Sequence, residues 1–143
     1  MKIEDIAEQW SSDCVIDPMS VGDDSIKTAK LHSKYSTIWT AEKLRLLQLV
    51  KELKTLKGEK EEFFYNPTEE KVKAGWKIPA KGKLLKSEIP KYLEYDKDIL
   101  ELELKLGQQQ EKIEFLKSIM TQIASRGYLI KNYLEDRRFL HGG

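Results

Sequence analysis

DILELELKLGQQQEKIEFLKSIMTQI, residues Asp98 to Ile123, decides the fold. Ile99, Leu102, Leu106, Ile113, Leu116, Met120 and Ile123 recur at alternating spacings of three and four, with Gln109 in the one polar slot. Only a helix brings those positions onto one face. The same count continues through Gly127 to Ile130 and Leu134, so the register crosses into SRGYLIKNYLEDRRF. A seam of that length calls for packing against another helix, within the chain or in a second copy.

The partner helix lies upstream. Between Ser25 and Leu56 there is neither proline nor glycine, and Leu31, Tyr35, Ile38, Trp39, Leu46, Leu49, Val50, Leu53 and Leu56 form one stripe. Asp23 or Asp24 suits its N-cap, because a short carboxylate can satisfy the free amides of the first turn. The expected fold is all-α, with long antiparallel helices joined by a Lys/Pro/Gly-rich loop and followed by a short C-terminal helix. Residues 1–143 are read as a single helical domain: an N-terminal segment over 1–22, the first long helix over 23–58, a basic motif and loop over 59–92, the second long helix over 93–124 and a C-terminal helix over 125–143. The loop holds Pro67, Gly75, Pro79, Gly82 and Pro90, too close together for a long helix. A hairpin around Trp76 and Ile78 is one conformation it could take.

Composition excludes several functions. Among 143 residues, 25 bases balance 24 acids for a net charge of +1, so any attraction to a polyanion must be local. Cys14 stands alone, which rules out an internal disulfide and is most simply a small apolar residue near the core. The acids of MKIEDIAEQW are unlike a signal peptide, no apolar run is long enough to span a membrane, and a soluble cytosolic protein is expected. His32 and His141 are too isolated for nucleophilic catalysis or a zinc site. PAKGKLL lacks the first glycine and the Ser/Thr of a phosphate-binding loop. Asp96 and Asp98 belong to a helix start, where carboxylates favour the dipole. No enzyme, metal or cofactor is expected.

Local charge is informative. From Lys43 to Lys60 six bases face two acids, and from Lys71 to Lys91 seven lysines face Glu88 alone. Lys51, Lys54, Lys57 and Lys60 recur every third residue, and Phe63 and Phe64 follow. Lysines beside aromatics suit single-stranded nucleic acid, where phosphates are neutralised while bases stack. The same lysines could be a solvated helix face and the same aromatics core. A helix continuing past Gly58 would put Lys57 and Lys60 on the side of Leu49 and Leu53. It should therefore end near Gly58, or turn that face to something anionic. Trp76, between Lys73 and Lys77, has the same two readings. No groove-reading motif is present, so binding would be independent of base sequence.

KIEDI, the ID of CVIDPMS, LHSKY, YDKDIL and above all SRGYLIKNYLEDRRF resemble the UvsY family of recombination mediators from T-even-type bacteriophages. The resemblance implies a non-enzymatic single-stranded-DNA-binding protein in the cytoplasm of an infected bacterium. Its implied role is to help load a UvsX-type recombinase onto DNA covered by the phage single-stranded-DNA-binding protein. It also implies a ring-like homo-oligomer, hexameric or heptameric. The family's motif, Leu-Lys-x-Arg-Leu-Asp-Tyr-Tyr, falls with its aromatics on Phe63 and Phe64, its arginine on Lys60, and its lysine on Gly58 or, aligned on Leu-Lys, on Lys57. DNA contacts are expected at Lys51, Lys54, Lys57, Lys60, Phe63 and Phe64; the lysine-rich loop departs from the family's shorter one, and Lys73, Trp76, Lys77, Lys81 and Lys83 are expected to supply contacts that the altered motif has lost. The family's C-terminal helix drives oligomerisation, which points to Tyr128, Leu129, Ile130, Tyr133, Leu134 and Phe139. The competing reading is a helical scaffold oligomer that binds no DNA.

Overall fold

The structure is a computed structural model and describes residues 1–142. It contains five helices and, among those residues, no strand: α1 (Ile3–Asp13), α2 (Val21–Tyr65), α3 (Glu69–Lys73), α4 (Ile89–Glu94) and α5 (Lys97–Leu140). The all-α expectation therefore holds. The chain divides into two compact units, one of Met1–Lys43 with Glu111–Gly143 and the other of Leu44–Gln110.

In the first unit, α1 lays Ile6 and Trp10 against Leu31 and Tyr35 of α2 and Leu116, Ile119 and Ile123 of α5. Trp10 meets Tyr35 edge to face with ring centroids 5.3 Å apart, a preferred aromatic geometry. The helices α2 and α5 run antiparallel here, since Asp24 pairs with Arg126 and Glu42 with Lys112. Arg126 is almost wholly buried. Its guanidinium donates to the Thr28 hydroxyl at 3.1 Å, the Cys14 and Val15 carbonyls at 3.0 and 3.4 Å, and the Asp24 carboxylate at 3.3 Å. That fork ties α5 to α2 and to the turn after α1. Asp24 also accepts from the Asp17 amide at 2.6 Å, so it braces this turn rather than capping α2.

In the second unit α2 and α5 are again antiparallel, with Lys57 against Glu103 and Lys60 against Asp98. The loop between the helices forms two short helices and turns, with no hairpin. The left-handed Gly75 (φ 103°) ends α3, while the Trp76 amide reaches back to the Lys71 carbonyl at 3.0 Å. A second core forms where Phe63, Phe64, Leu84 and Ile89 meet, with Trp76 and Leu93 against them.

Three helix boundaries differ from expectation. The helix α2 passes Gly58 and ends only at Tyr65, because Lys60, Phe63 and Phe64 are all buried against partners outside the helix. An internal glycine costs about 1 kcal/mol, which that packing offsets. The helix α5 starts at Lys97, with the Asp96 side chain accepting from the Ile99 amide at 3.1 Å. It then runs unbroken to Leu140, so no hinge separates a C-terminal helix at Ser125 to Gly127; the arginine inside that triplet is the buried anchor.

Candidate nucleic-acid interface

All the residues expected to touch DNA lie in the second unit, and the structure sorts them into two groups. The first is interior. Lys60 is buried, with its ammonium 2.7 Å from Asp98, 3.3 Å from Asp96 and 4.1 Å from the centre of the Trp76 ring. The helix does turn this lysine towards something anionic, and the anion is the start of α5. Phe63 and Phe64 are also buried, at 3% and 6% exposure. Adjacent side chains of one helix both point inward because two different elements flank the end of α2. Phe63 meets Trp76 edge to face at 5.3 Å, whereas Phe64 meets Tyr92 at 6.1 Å. The half-buried Trp76 carries Lys60 and, at 4.6 Å, Lys71 over its ring. Base stacking by Phe63 and Phe64, and phosphate contact by Lys60, are therefore corrected to core packing and an internal ion pair. Trp76 joins them as a core-edge residue.

The second group faces solvent. Lys51, Lys54 and Lys57 stand exposed along α2. Lys57 makes a surface pair with Glu103 at 3.3 Å, a contact worth well under 1 kcal/mol in solvent. It does not bar a phosphate from competing. Lys73, Lys77, Lys81 and Lys83 are exposed on the loop. Lys81 donates to Glu88 at 2.8 Å, and each charge holds the other's proton affinity in its ionised state: the hydrogen bond raises the lysine and lowers the carboxylate. Lys83 lies 5.1 Å and Lys86 5.4 Å from the centre of the Tyr65 ring, itself 42% exposed. Tyr65, adjacent to the two buried phenylalanines, is thus the solvent-facing aromatic of FFY. Sequence reasoning missed it because three consecutive helix positions span most of a turn, and nothing in their order says which one stays outside.

The first unit carries the residues expected at a subunit contact. Tyr128, Leu129, Tyr133, Leu134 and Phe139 are exposed, Phe139 at 83%. Ile130 is buried at 5% within its own unit, so it belongs to the monomer core rather than to a contact between copies. Val50, expected in the α2 stripe, is exposed with Leu44 and Leu47.

Fold and site together define a protein built on two long helices, without a strand among the described residues, and with one unit that presents lysines and an aromatic to solvent. A family model described as "Recombination, repair and ssDNA binding protein UvsY" matches residues 9–143. The chain belongs to the UvsY family. Crystal structures of the bacteriophage T4 recombination mediator protein UvsY share the fold. One is 24% identical with a TM-score of 0.78, covering 100% of this chain and 99% of that one. Another is 22% identical, also at 0.78, covering 97% and 98%. No curated protein sequence matches the chain. Among the described residues no helix is long and apolar enough to cross a membrane.

Proposed function

We propose that this protein binds single-stranded DNA through the exposed lysines of its second unit and acts there as a recombination mediator. In this role it would help a UvsX-type recombinase onto DNA held by the phage single-stranded-DNA-binding protein. The observation that carries the reading is the exposed row Lys51, Lys54 and Lys57 on α2, in a chain of a family described as single-stranded-DNA-binding. Lys73, Lys77, Lys81 and Lys83 extend the basic surface along the loop. Lysines without a groove-reading element neutralise phosphates and leave base sequence unread.

Self-association into a ring belongs to the same reading. Supporting it is the end of α5, where Tyr128, Leu129, Tyr133, Leu134 and Phe139 lie open to water along one stretch of helix. Several weak sites on one ring then engage one strand together and raise the overall affinity.

Fluorescence anisotropy with single- and double-stranded oligonucleotides over a range of salt tests the function. Binding should favour the single strand and fall with salt, with a log-log slope of about −2 from the three α2 lysines and a steeper total where other lysines also neutralise phosphates. Absence of binding even at low salt would leave a helical scaffold.

A further inference from the structure

We infer that the cleft between α4 and the Lys77–Pro79 stretch holds one unstacked base of a single strand against Tyr95 and Tyr92, with its phosphate on the lysines of the rim. The inference rests on the single-strand-binding reading above and adds a site to it that the lysine row does not include.

The cleft measures about 440 Å³, within the range of sites that enclose small ligands. Phe64 and Pro79 both line it; Phe64 belongs to the second core and Pro79 is half-buried. Tyr92 and Tyr95 stand three residues apart at the end of α4, a spacing that puts them on one side. Their roles differ. Tyr92 is held in place by Phe64, with centroids 6.1 Å apart and planes tilted by 57°. Tyr95 leaves 70% of its surface in water, unusual exposure for an aromatic at the edge of a core. One ring is braced and its neighbour is free, so a flat apolar ligand can lie on Tyr95 without displacing core packing.

Charge selects the ligand. Lys77, Lys91 and Lys97 line the cleft and are all exposed, against the single carboxylate of Asp96. Asp96 is already engaged by Lys60 at 3.3 Å and by the Ile99 amide at 3.1 Å. The net field at the rim is positive and favours an anion beside the aromatic surface. A base with its own phosphate supplies both, whereas a purely apolar peptide segment would leave three ammonium groups idle. Stacking on an aromatic ring is tolerant of base identity, which agrees with a mediator that must accept any sequence.

The test separates base from phosphate. Wild type, Tyr95→Ala and Tyr95→Phe proteins are titrated with oligothymidylate and with an abasic strand of equal length. Loss of the ring should weaken oligothymidylate binding by about five- to a hundredfold, leave the abasic strand unchanged, and be rescued by phenylalanine. Lys91→Ala with Lys97→Ala should weaken both strands together and flatten the salt dependence. Circular dichroism confirms that Tyr95→Ala folds, as expected for so exposed a side chain. If wild type binds single strands in a salt-dependent way and Tyr95→Ala binds both strands equally well, the cleft is overturned and the lysine row stands. If wild type binds neither strand, both proposals fall.

Discussion

Lys54 and Lys60 share one helix and opposite fates. Lys54 points to solvent, while Lys60 sits between Asp96, Asp98 and the face of Trp76. Replacing Lys60 with methionine would leave two carboxylates at the start of α5 without their cation. Because Asp98 is half exposed, the cost should fall at or just below the low end of the roughly 3–5 kcal/mol range for broken buried pairs, about 2–3 kcal/mol. Urea unfolding of Lys60→Met measures it, and a loss below about 0.5 kcal/mol would mean the pair is solvated. Tyr35 allows a pH test. Burial, then its hydrogen bond to the Asp13 carboxylate, push its hydroxyl well above the usual tyrosine range. A raised folded value contributes stability that is complete below the unfolded value of about 10 and is lost as pH climbs through the folded one. Asp13 is the counterpart: burial would raise it, but hydrogen bonds from Lys34 and Tyr35 outweigh this and lower it. Tyr35→Phe should cost about 1 kcal/mol at neutral pH and melt with a shallower alkaline decline than wild type. Identical alkaline slopes would contradict the assignment.

At the scale of elements, periodicity made α2 and α5 legible: the positions it placed inside α5 from Ile99 to Ile123 are buried or half-buried, as is Ile130, while Gly127 in the same count is exposed. What it could not supply were their ends. Gly58 reads as a stop because glycine weakens a helix, and the expected second long helix ends at 124, just before the Ser125–Gly127 triplet, yet packing on either side outweighs one weak link. Lys60 and Arg126 were equally illegible. A charge on an apolar face reads as a boundary unless its partner is known, and both partners are distant in sequence. The continuity of α5 is testable at Gly127, where an added Cβ would meet nothing within 4 Å. Gly127→Ala should stabilise the protein by about 0.5–1 kcal/mol and preserve DNA binding. Loss of binding with normal folding would show that the chain needs to bend at this glycine.

For the whole molecule, the apolar end of α5 and the lysines of the second unit are assigned separate tasks. Removing everything after Asn132 deletes Tyr133, Leu134 and Phe139 but spares Arg126 and Ile130, which the first unit needs for its own core. The truncated chain should keep its helical signal, scatter light as a smaller species and bind single strands more weakly, since each strand then meets fewer sites at once. An undiminished oligomer would move the contact elsewhere, and the exposed Leu44, Leu47 and Val50 would be the next surface to test. The most direct measurement is the salt dependence of single-strand binding in wild type and in a Lys51→Ala/Lys54→Ala/Lys57→Ala variant, both verified as folded. The variant should bind far more weakly, with a log-log slope shallower by about 2 if each lysine neutralises one phosphate. An unchanged affinity and slope would show that the exposed row on α2 holds no DNA.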